Sequence, residues 1–221
     1  MRILENKLKL LKEDLTDLVA SVRKTINDSM EALKNRDENL CKRIIEGDDE
    51  IDFKSIDLER KVLQIIATQH PQAEDLRIVS SILFINIDLE RMADHCVDIA
   101  EETLTIVDKP HLKPLIDLPR MKDTCIEMLD GAIESFLNKD VDLAMKIIEK
   151  DDILDKLNWQ IFRELLTYMM EDPRNIRRAN ALILISQHYE RIGDHITNIC
   201  ERTIYIVEGK MLKTNPHQQR Y

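Results

Sequence analysis

Two segments of the chain repeat one another closely. Residues 89–101 read LERMADHCVDIAE, and residues 189–201 read YERIGDHITNICE, at an offset of 100. A second match joins IIEGDDEID at 44–52 with IIEKDDILD at 147–155, at an offset of 103. An internal repeat of this kind indicates two copies of one structural unit. The change of offset removes three residues between the middle and last segments of the second copy.

Composition and apolar spacing predict that every element is a helix. Four glycines and six prolines among 221 residues leave long stretches without a breaker. In the last segment of each copy, apolar residues alternate at spacings of four and three, which is typical of a helix in a bundle. Pro71 and Pro173 end the middle helix of each copy. We therefore predict an all-α fold of two tandem three-helix bundles, with helices over about 4–34, 37–68, 73–107, 119–138, 141–170 and 175–207.

A proline-rich segment separates the two copies. Residues 108–120 read DKPHLKPLIDLPR and hold three of the six prolines. Proline cannot continue a helix, so this segment predicts a linker. We divide the chain into a first bundle at 1–108, a linker at 109–119, a second bundle at 120–210 and a flexible tail at 211–221. Gly209 is the expected C-cap of the last helix.

The net charge of −10 limits the classes of partner. Nucleic acids and anionic lipids require clustered lysine and arginine, so we exclude them as main partners. The charge favours a cation or a basic protein surface. A membrane span needs about 18 or more consecutive apolar residues, a pattern that this sequence lacks. The N-terminal stretch MRILENKLKLLKEDL differs from a signal peptide, so we expect a cytoplasmic location.

Carboxylates recur on the last helix of each copy. At about 100° per residue, Glu90, Asp94 and Glu101 lie opposite the apolar stripe, and we expect them on the outer face. Two carboxylates four residues apart repel one another by a few tenths of a kcal/mol, roughly. A bound cation would remove that repulsion. The second copy repeats the pattern with Glu190, Asp194 and Glu201.

The middle helices add acids at buried positions. Asp48 and Asp151 fall on the apolar stripe, and Asp52 and Asp155 follow at its edge. A partly desolvated carboxylate is costly unless it is paired. Either a lysine partner or a metal ion would supply the pairing.

Three interpretations of these acids stay open. They bind metal in a regulatory protein, they solvate a metal-free helical adaptor, or they hold the metal of a hydrolase. The sequence has no nucleophile–base arrangement, no glycine-rich phosphate loop and no Glu-x-x-His pair of the ferritin-like kind. These features favour a non-enzymatic protein. His95 and His195 turn about 100° from the neighbouring aspartates, and we expect them on the helix surface.

The acids of the middle helix and the ERxxD motif of the last helix resemble the PhoU family. This family comprises accessory proteins of bacterial phosphate transport that regulate the phosphate response. The resemblance covers about residues 5–209, and the segment QAEDLR after Pro71 also fits. The first copy departs from the family pattern, since Ala93 stands where glycine is usual. PRNIRR in the second copy leaves Asp75 without an acidic counterpart.

The resemblance implies a multinuclear metal cluster, of iron or zinc, on each bundle. Oxygen ligands also suit Mg²⁺, Mn²⁺ and Ca²⁺. An amide replaces one carboxylate in the second copy, so the two sites should differ in charge and affinity. The implied ligands are Asp48, Asp52, Glu90, Asp94 and Asp98 in the first copy, and Asp151, Asp155, Glu190, Asp194 and Asn198 in the second.

The resemblance also implies a function and partners. It implies a non-enzymatic regulator that represses the phosphate-starvation response. Direct contacts would be with the ATPase subunit of the phosphate ABC transporter and with a phosphate-sensing histidine kinase. The protein would meet the membrane only through these partners and would form a homodimer.

Overall fold

Six long α-helices make up the computed structural model, which describes residues 2–210. Each predicted helix is confirmed, with ends within two residues of the expected ones. A short 3₁₀ helix (Pro173–Asn175) precedes the last α-helix. The tail predicted at 211–221 lies outside the described residues. The helices are α1 (Arg2–Asn35), α2 (Glu38–Gln69), α3 (Ala73–Ile106), α4 (Asp117–Asn138), α5 (Val141–Glu171) and α6 (Ile176–Glu208).

Equivalent side chains begin the middle helix of each copy. The Asp37 carboxylate accepts a hydrogen bond from the backbone N–H of Leu40 at 2.9 Å. Asp140 accepts from Leu143 at the same distance. Such caps satisfy a backbone donor that has no partner within the helix. At the other end of the chain, Gly209 adopts a φ of 71° and caps α6, as predicted.

The helices form two bundles that pack against one another. Helices α1, α2 and α3 form the first, and α4, α5 and α6 form the second. Helix α3 lies along α6, and α1 also touches α4. One cluster of buried apolar side chains spans both bundles, including Leu15 and Ile82 from the first and Met128 and Ile196 from the second. Burial of each large apolar side chain contributes about 1.5–3 kcal/mol.

Polar contacts also join the bundles. The hydroxyl of Tyr189, which is fully buried in α6, lies 2.9 Å from the Ser29 hydroxyl of α1. Near the far end of the interface, Arg77 Nε donates to the carbonyl of Ile206 at 2.9 Å. The start of α3 therefore meets the end of α6, so the two helices run antiparallel. Within residues 2–210, no helix is both long and apolar enough to cross a membrane.

The segment between the bundles is held by buried charges. The Lys113 side chain is buried and forms an ion pair with Glu164 of α5. Its ammonium also lies 3.9 Å from the buried Asp117 carboxylate at the start of α4. Gln160 Nε2 donates to the same carboxylate at 3.1 Å. These contacts fix the linker to the second bundle.

Candidate metal sites

The first group of carboxylates lies between α2 and α3. Helix α2 supplies Asp48 and Asp52, and α3 supplies Glu90 and Asp94; we call these four side chains carboxylate group 1. Burial, and after it the charges of Asp52, Asp94 and Glu90, raise the pKa of Asp48 to about 6. The four carboxylates are therefore close enough to repel one another in the absence of a cation.

Hydrogen bonds orient one member of carboxylate group 1. Ser55 Oγ, on the next turn of α2, donates to Glu90 Oε2 at 3.1 Å. Asn86 Nδ2 in turn donates to Ser55 Oγ at 2.9 Å. On the solvent side, Arg91 Nη1 lies 3.4 Å from Asp94 Oδ2. This chain of contacts aims the Glu90 carboxylate toward α2.

The second group lies between α5 and α6 at the equivalent positions. Helix α5 supplies Asp151 and Asp155, and α6 supplies Glu190 and Asp194; these form carboxylate group 2. Burial, and after it the charges of Asp194, Asp155 and Glu190, raise the pKa of Asp151 to about 7. Asp151 Oδ1 is buried and has no hydrogen-bond partner. A buried acceptor left this way is costly, and a cation would satisfy it.

A lysine partner was the other explanation for the buried aspartates. Throughout residues 2–210, the ion pairs involve neither Asp48 nor Asp151. The nearby lysines pair elsewhere: Lys54 contacts Glu50 at 3.0 Å, and Lys150 pairs with Glu127. No lysine therefore pairs with Asp48 or Asp151 in the described residues, whereas Arg91 pairs with Asp94 and Arg191 lies near Glu190 and Asp194.

A glycine distinguishes the second groove from the first. A Cβ atom placed on Gly193 would stand 2.7 Å from Asp151 Oδ1 and 2.4 Å from Leu154 Cδ1. The first copy has the buried Ala93 at this position. The departure noted in the sequence therefore corresponds to a difference between the grooves: a Cβ is present at Ala93, and none fits at Gly193 without movement of Asp151 or Leu154.

The expectation that these acids lie on the outer face is wrong for five of the six, and Glu201 is one of the five because it is half-buried. Glu90, Asp94, Glu190 and Asp194 are half-buried, because α2 or α5 covers that flank of the last helix. The helical periodicity predicts the direction of each side chain around the helix axis, but it does not show which neighbouring helix covers that side. Glu101 is exposed, as predicted.

The two histidines expected on the surface are also placed differently. His95 and His195 are half-buried at the interface between α3 and α6, with ring centroids 5.6 Å apart. Packing of one bundle on the other covers this flank of both helices. Burial lowers the pKa of His95, and the charges of His195 and His188 lower it further. Burial also lowers the pKa of His188, so the neutral imidazoles are favoured.

Two of the ten implied ligands make contacts at this interface. Asp98 Oδ2 lies 3.4 Å from His95 Nδ1 and 3.4 Å from His188 Nδ1. Asn198 Nδ2 donates to Asp88 Oδ1 at 3.0 Å. Asp98 and Asn198 are thus engaged across α3 and α6, while the other eight implied ligands form the two carboxylate groups.

Sequence reasoning missed Asp88 and His188. Asp88 is buried, and its Oδ1 lies 2.9 Å from His195 Nδ1. The repeat itself carried the signal, since Asp88 and His188 occupy the same position in the two copies but differ in chemistry. Position 88 differs from its equivalent 188, and position 98 differs from 198. All four side chains lie at the interface between the two copies.

The fold and the site define a class: an all-α protein with two repeated three-helix bundles, each with a carboxylate-lined groove between its last two helices. The PhoU domain family matches the chain twice, over residues 15–103 and 118–203. The chain belongs to the PhoU family.

Relatives and solved structures agree with this assignment. The chain is 41% identical to the phosphate-specific transport system accessory protein PhoU homolog of Aquifex aeolicus, over 91% of each chain. It is 35% identical to the homolog of Clostridium acetobutylicum, over 97% of this chain and 98% of that one. The crystal structure of the phosphate transport system regulatory protein PhoU from Streptococcus pneumoniae superposes with a TM-score of 0.89. That comparison covers 95% of this chain and 99% of the other, at 28% identity.

Proposed function

We propose that this protein is a metal-binding regulator that acts as an accessory of a phosphate transport system. Relatives that match nearly its whole length are named as phosphate-specific transport system accessory proteins. The observation that carries the metal proposal is the buried Asp151 oxygen, which has no hydrogen-bond partner and is surrounded by three further carboxylates.

Each carboxylate group would hold its own metal ions. The proposed ligands are Asp48, Asp52, Glu90 and Asp94 in the first bundle and Asp151, Asp155, Glu190 and Asp194 in the second. Such all-oxygen sets suit hard cations, including ferric iron, Mn²⁺, Mg²⁺ and Ca²⁺. The family resemblance favours iron or zinc in multinuclear clusters. A bound cation would supply the positive charge that holds α2 to α3 and α5 to α6 in these grooves.

The proposed signalling partners are the ATPase subunit of the phosphate ABC transporter and a phosphate-sensing histidine kinase, both reached from the cytoplasm. Exposed apolar side chains on the middle helices support protein docking. Phe53 and Ile56 are exposed on α2, and Trp159 packs edge-on against Phe162 on α5 with centroids 5.9 Å apart. Large exposed aromatic side chains are typical of protein interfaces. A homodimer would use the same kind of surface.

The role we propose is non-enzymatic. The carboxylate groups supply metal ligands, and an acidic groove binds phosphate poorly without a metal, because anions need cationic groups or helix N-termini. A metal-free acidic adaptor is the alternative, in which the same carboxylates only solvate the helices. Metal-dependent turnover of a phosphoester that is lost in Glu190→Ala would instead indicate a hydrolase.

Elemental analysis tests the metal proposal directly. The protein is purified without an affinity tag and compared with the double variant Asp94→Ala/Asp194→Ala and with the control Glu101→Ala, whose side chain is exposed. We expect iron, zinc or manganese in the wild type and the control, and a lower metal content in the double variant. Circular dichroism should show unchanged helicity in all three. Equal metal content in all samples, or none after loading with each ion, would exclude the carboxylate groups as metal sites.

Pull-down with the transporter ATPase tests the regulatory proposal separately. We expect the wild type to retain the ATPase, and we expect Trp159→Ala/Phe162→Ala to weaken that retention without changing helicity. If the protein retains the kinase but not the ATPase, the signalling role is supported and the proposed contact with the transporter is contradicted. A protein that retains neither, with or without metal, would contradict the accessory role.

A further inference from the structure

Three metal-ligating atoms converge where the two bundles meet. His95 Nδ1 lies 3.3 Å from His188 Nδ1, and both lie 3.4 Å from Asp98 Oδ2. Within the described part of the chain, this is the one set of three or more His, Cys, Asp or Glu side chains whose ligand atoms all lie within 4.8 Å of one another. In neither carboxylate group do three side chains bring their ligand atoms within 4.8 Å of one another.

The spacing matches the corners of a tetrahedron around a metal ion. Zinc binds nitrogen and oxygen ligands at about 2.0–2.1 Å, so neighbouring ligand atoms of a tetrahedral site stand about 3.3–3.4 Å apart. Octahedral ligands at the same bond length would stand about 2.9 Å apart. Hydrogen bonds from N–H to oxygen are also shorter, most often about 2.9–3.0 Å. The observed triangle is therefore too wide for good hydrogen bonds and fits a four-coordinate ion.

The repeat supplies an internal comparison. The same positions in the opposite copies are Asp88, His195 and Asn198. There, Asp88 Oδ1 lies 2.9 Å from His195 Nδ1 and accepts from Asn198 Nδ2 at 3.0 Å. These are ordinary hydrogen-bond lengths, with an amide in place of a ligating carboxylate. The two equivalent sets of residues therefore differ. Asp88, His195 and Asn198 are joined by hydrogen bonds of ordinary length, whereas the ligand atoms of His95, Asp98 and His188 stand farther apart.

An ion can reach this triangle from solvent. The Asp98 side chain is 45% exposed, and the His95 and His188 side chains are 21% and 22% exposed. A water molecule would complete the coordination, as it does in three-ligand zinc sites. Two imidazoles and one carboxylate suit borderline divalent transition ions and disfavour Mg²⁺ and Ca²⁺.

We propose that His95, Asp98 and His188 form a mononuclear site for a divalent transition ion of the zinc class. The site is separate from both carboxylate groups. Since His95 and Asp98 belong to α3 and His188 to α6, the ion clamps one bundle to the other. Occupancy of this site therefore controls how firmly the two repeats are joined.

Co²⁺ titration of the full chain tests the site. Four-coordinate Co²⁺ absorbs visible light far more strongly than the six-coordinate ion, so the spectrum reports the geometry. We expect one strong band that saturates with a single equivalent and disappears when Zn²⁺ is added. His188→Gln should lose the band. The control His195→Gln, at the position that corresponds to His95 in the second copy, should keep it. Asp48→Asn/Asp151→Asn should also keep it, because those side chains lie on α2 and α5.

Thermal denaturation gives a second readout. Zn²⁺ should raise the melting temperature of the wild type and of His195→Gln by more than that of His188→Gln. If His188→Gln does not fold, Asp98→Asn takes its place, since that side chain is largely exposed. The proposal is overturned if the strong Co²⁺ band survives loss of either ligand, if His195→Gln abolishes it equally, or if the wild type shows only the weak six-coordinate spectrum.

Discussion

Gly193 and Asp151 face one another across α6 and α5, and the space between them admits no additional carbon atom. A Cβ on Gly193 would stand 2.7 Å from the buried Oδ1 of Asp151. That oxygen has no hydrogen-bond partner, so only packing contacts hold it in place. The glycine therefore sets the position of the carboxylate that we assign to metal binding in the second bundle.

Gly193→Ala should destabilise the protein and weaken metal binding to carboxylate group 2. The new methyl would also stand 2.4 Å from Leu154 Cδ1, so two side chains must move. Overpacking of this kind costs about 1–3 kcal/mol, which outweighs the gain of about 1 kcal/mol in helix propensity. Urea unfolding measures the change. The control Ala93→Gly should lose about 1 kcal/mol by propensity, with a further loss because removal of its buried methyl group leaves a small cavity. A Gly193→Ala protein more stable than wild type would contradict the close contact.

The contribution of Asp151 to the stability of the metal-free protein should fall as pH rises from about 4 to 7. The pKa of Asp151 is about 7 in the folded protein, against an ordinary value of 3.8. Below pH 3.8 both states are protonated, and above it the unfolded state ionises first, which favours unfolding until the folded carboxyl also ionises. The loss should be on the order of 2–4 kcal/mol. It is measured by urea unfolding with a chelator present.

Asp151→Asn is the control for this pH dependence, because it removes the titrating group. Its stability should exceed that of the wild type increasingly as pH rises, with the difference level above about pH 7. Added metal should close the gap at high pH, since the cation favours the ionised carboxylate. Parallel stability curves for the two proteins would show that Asp151 ionises normally.

Much of this fold was accessible from the sequence because the repeat and the helix breakers are local signals. The alternation of apolar residues fixed the six helices, and Gly209 and the prolines marked ends that the structure confirms. The grouping of Asp48 with Glu90, and of Asp151 with Glu190, came from the family resemblance, and in the structure the charge of each glutamate raises the pKa of its aspartate.

What the sequence could not give was the packing of one bundle on the other. A helical periodicity assigns an angle to each side chain but not the element that covers that angle. His95 therefore appeared to be a surface residue, although α6 covers it. Likewise, Asp98 continues the spacing of Asp94 by one more turn, yet its carboxylate lies beside His188 of the other repeat.

Asp88→Ala should destabilise the interface between the bundles. Asp88 is 9% exposed and accepts from Asn198, with His195 at 2.9 Å. Removal of the carboxylate leaves both partners without it, at a cost of about 2–4 kcal/mol. Asp88→Asn keeps one acceptor oxygen and should lose less. Guanidinium unfolding ranks the variants beside the exposed control Glu59→Ala, which should change stability by less than about 0.5 kcal/mol. Equal effects of Asp88→Ala and Glu59→Ala would contradict the buried acceptor.

Lys113→Ala should be the most damaging removal of a single charge from an ion pair. Lys113 and Asp117 are both buried, and Glu164 completes the set. Without Lys113, the buried Asp117 carboxylate keeps only Gln160 and Arg120, whose Nη1 lies 3.8 Å away, so we expect a cost of about 2–3 kcal/mol, below that of a fully buried pair. The matched control is Lys150→Ala, whose partner Glu127 is exposed and whose pair is worth about 1 kcal/mol or less. High salt should reduce the effect of Lys150→Ala more than that of Lys113→Ala, because Lys113 and Asp117 are less exposed than Lys150 and Glu127. Urea unfolding at low and high salt measures the loss of stability in both variants. If the two losses are equal and both disappear at high salt, the linker is not anchored by a buried ion pair.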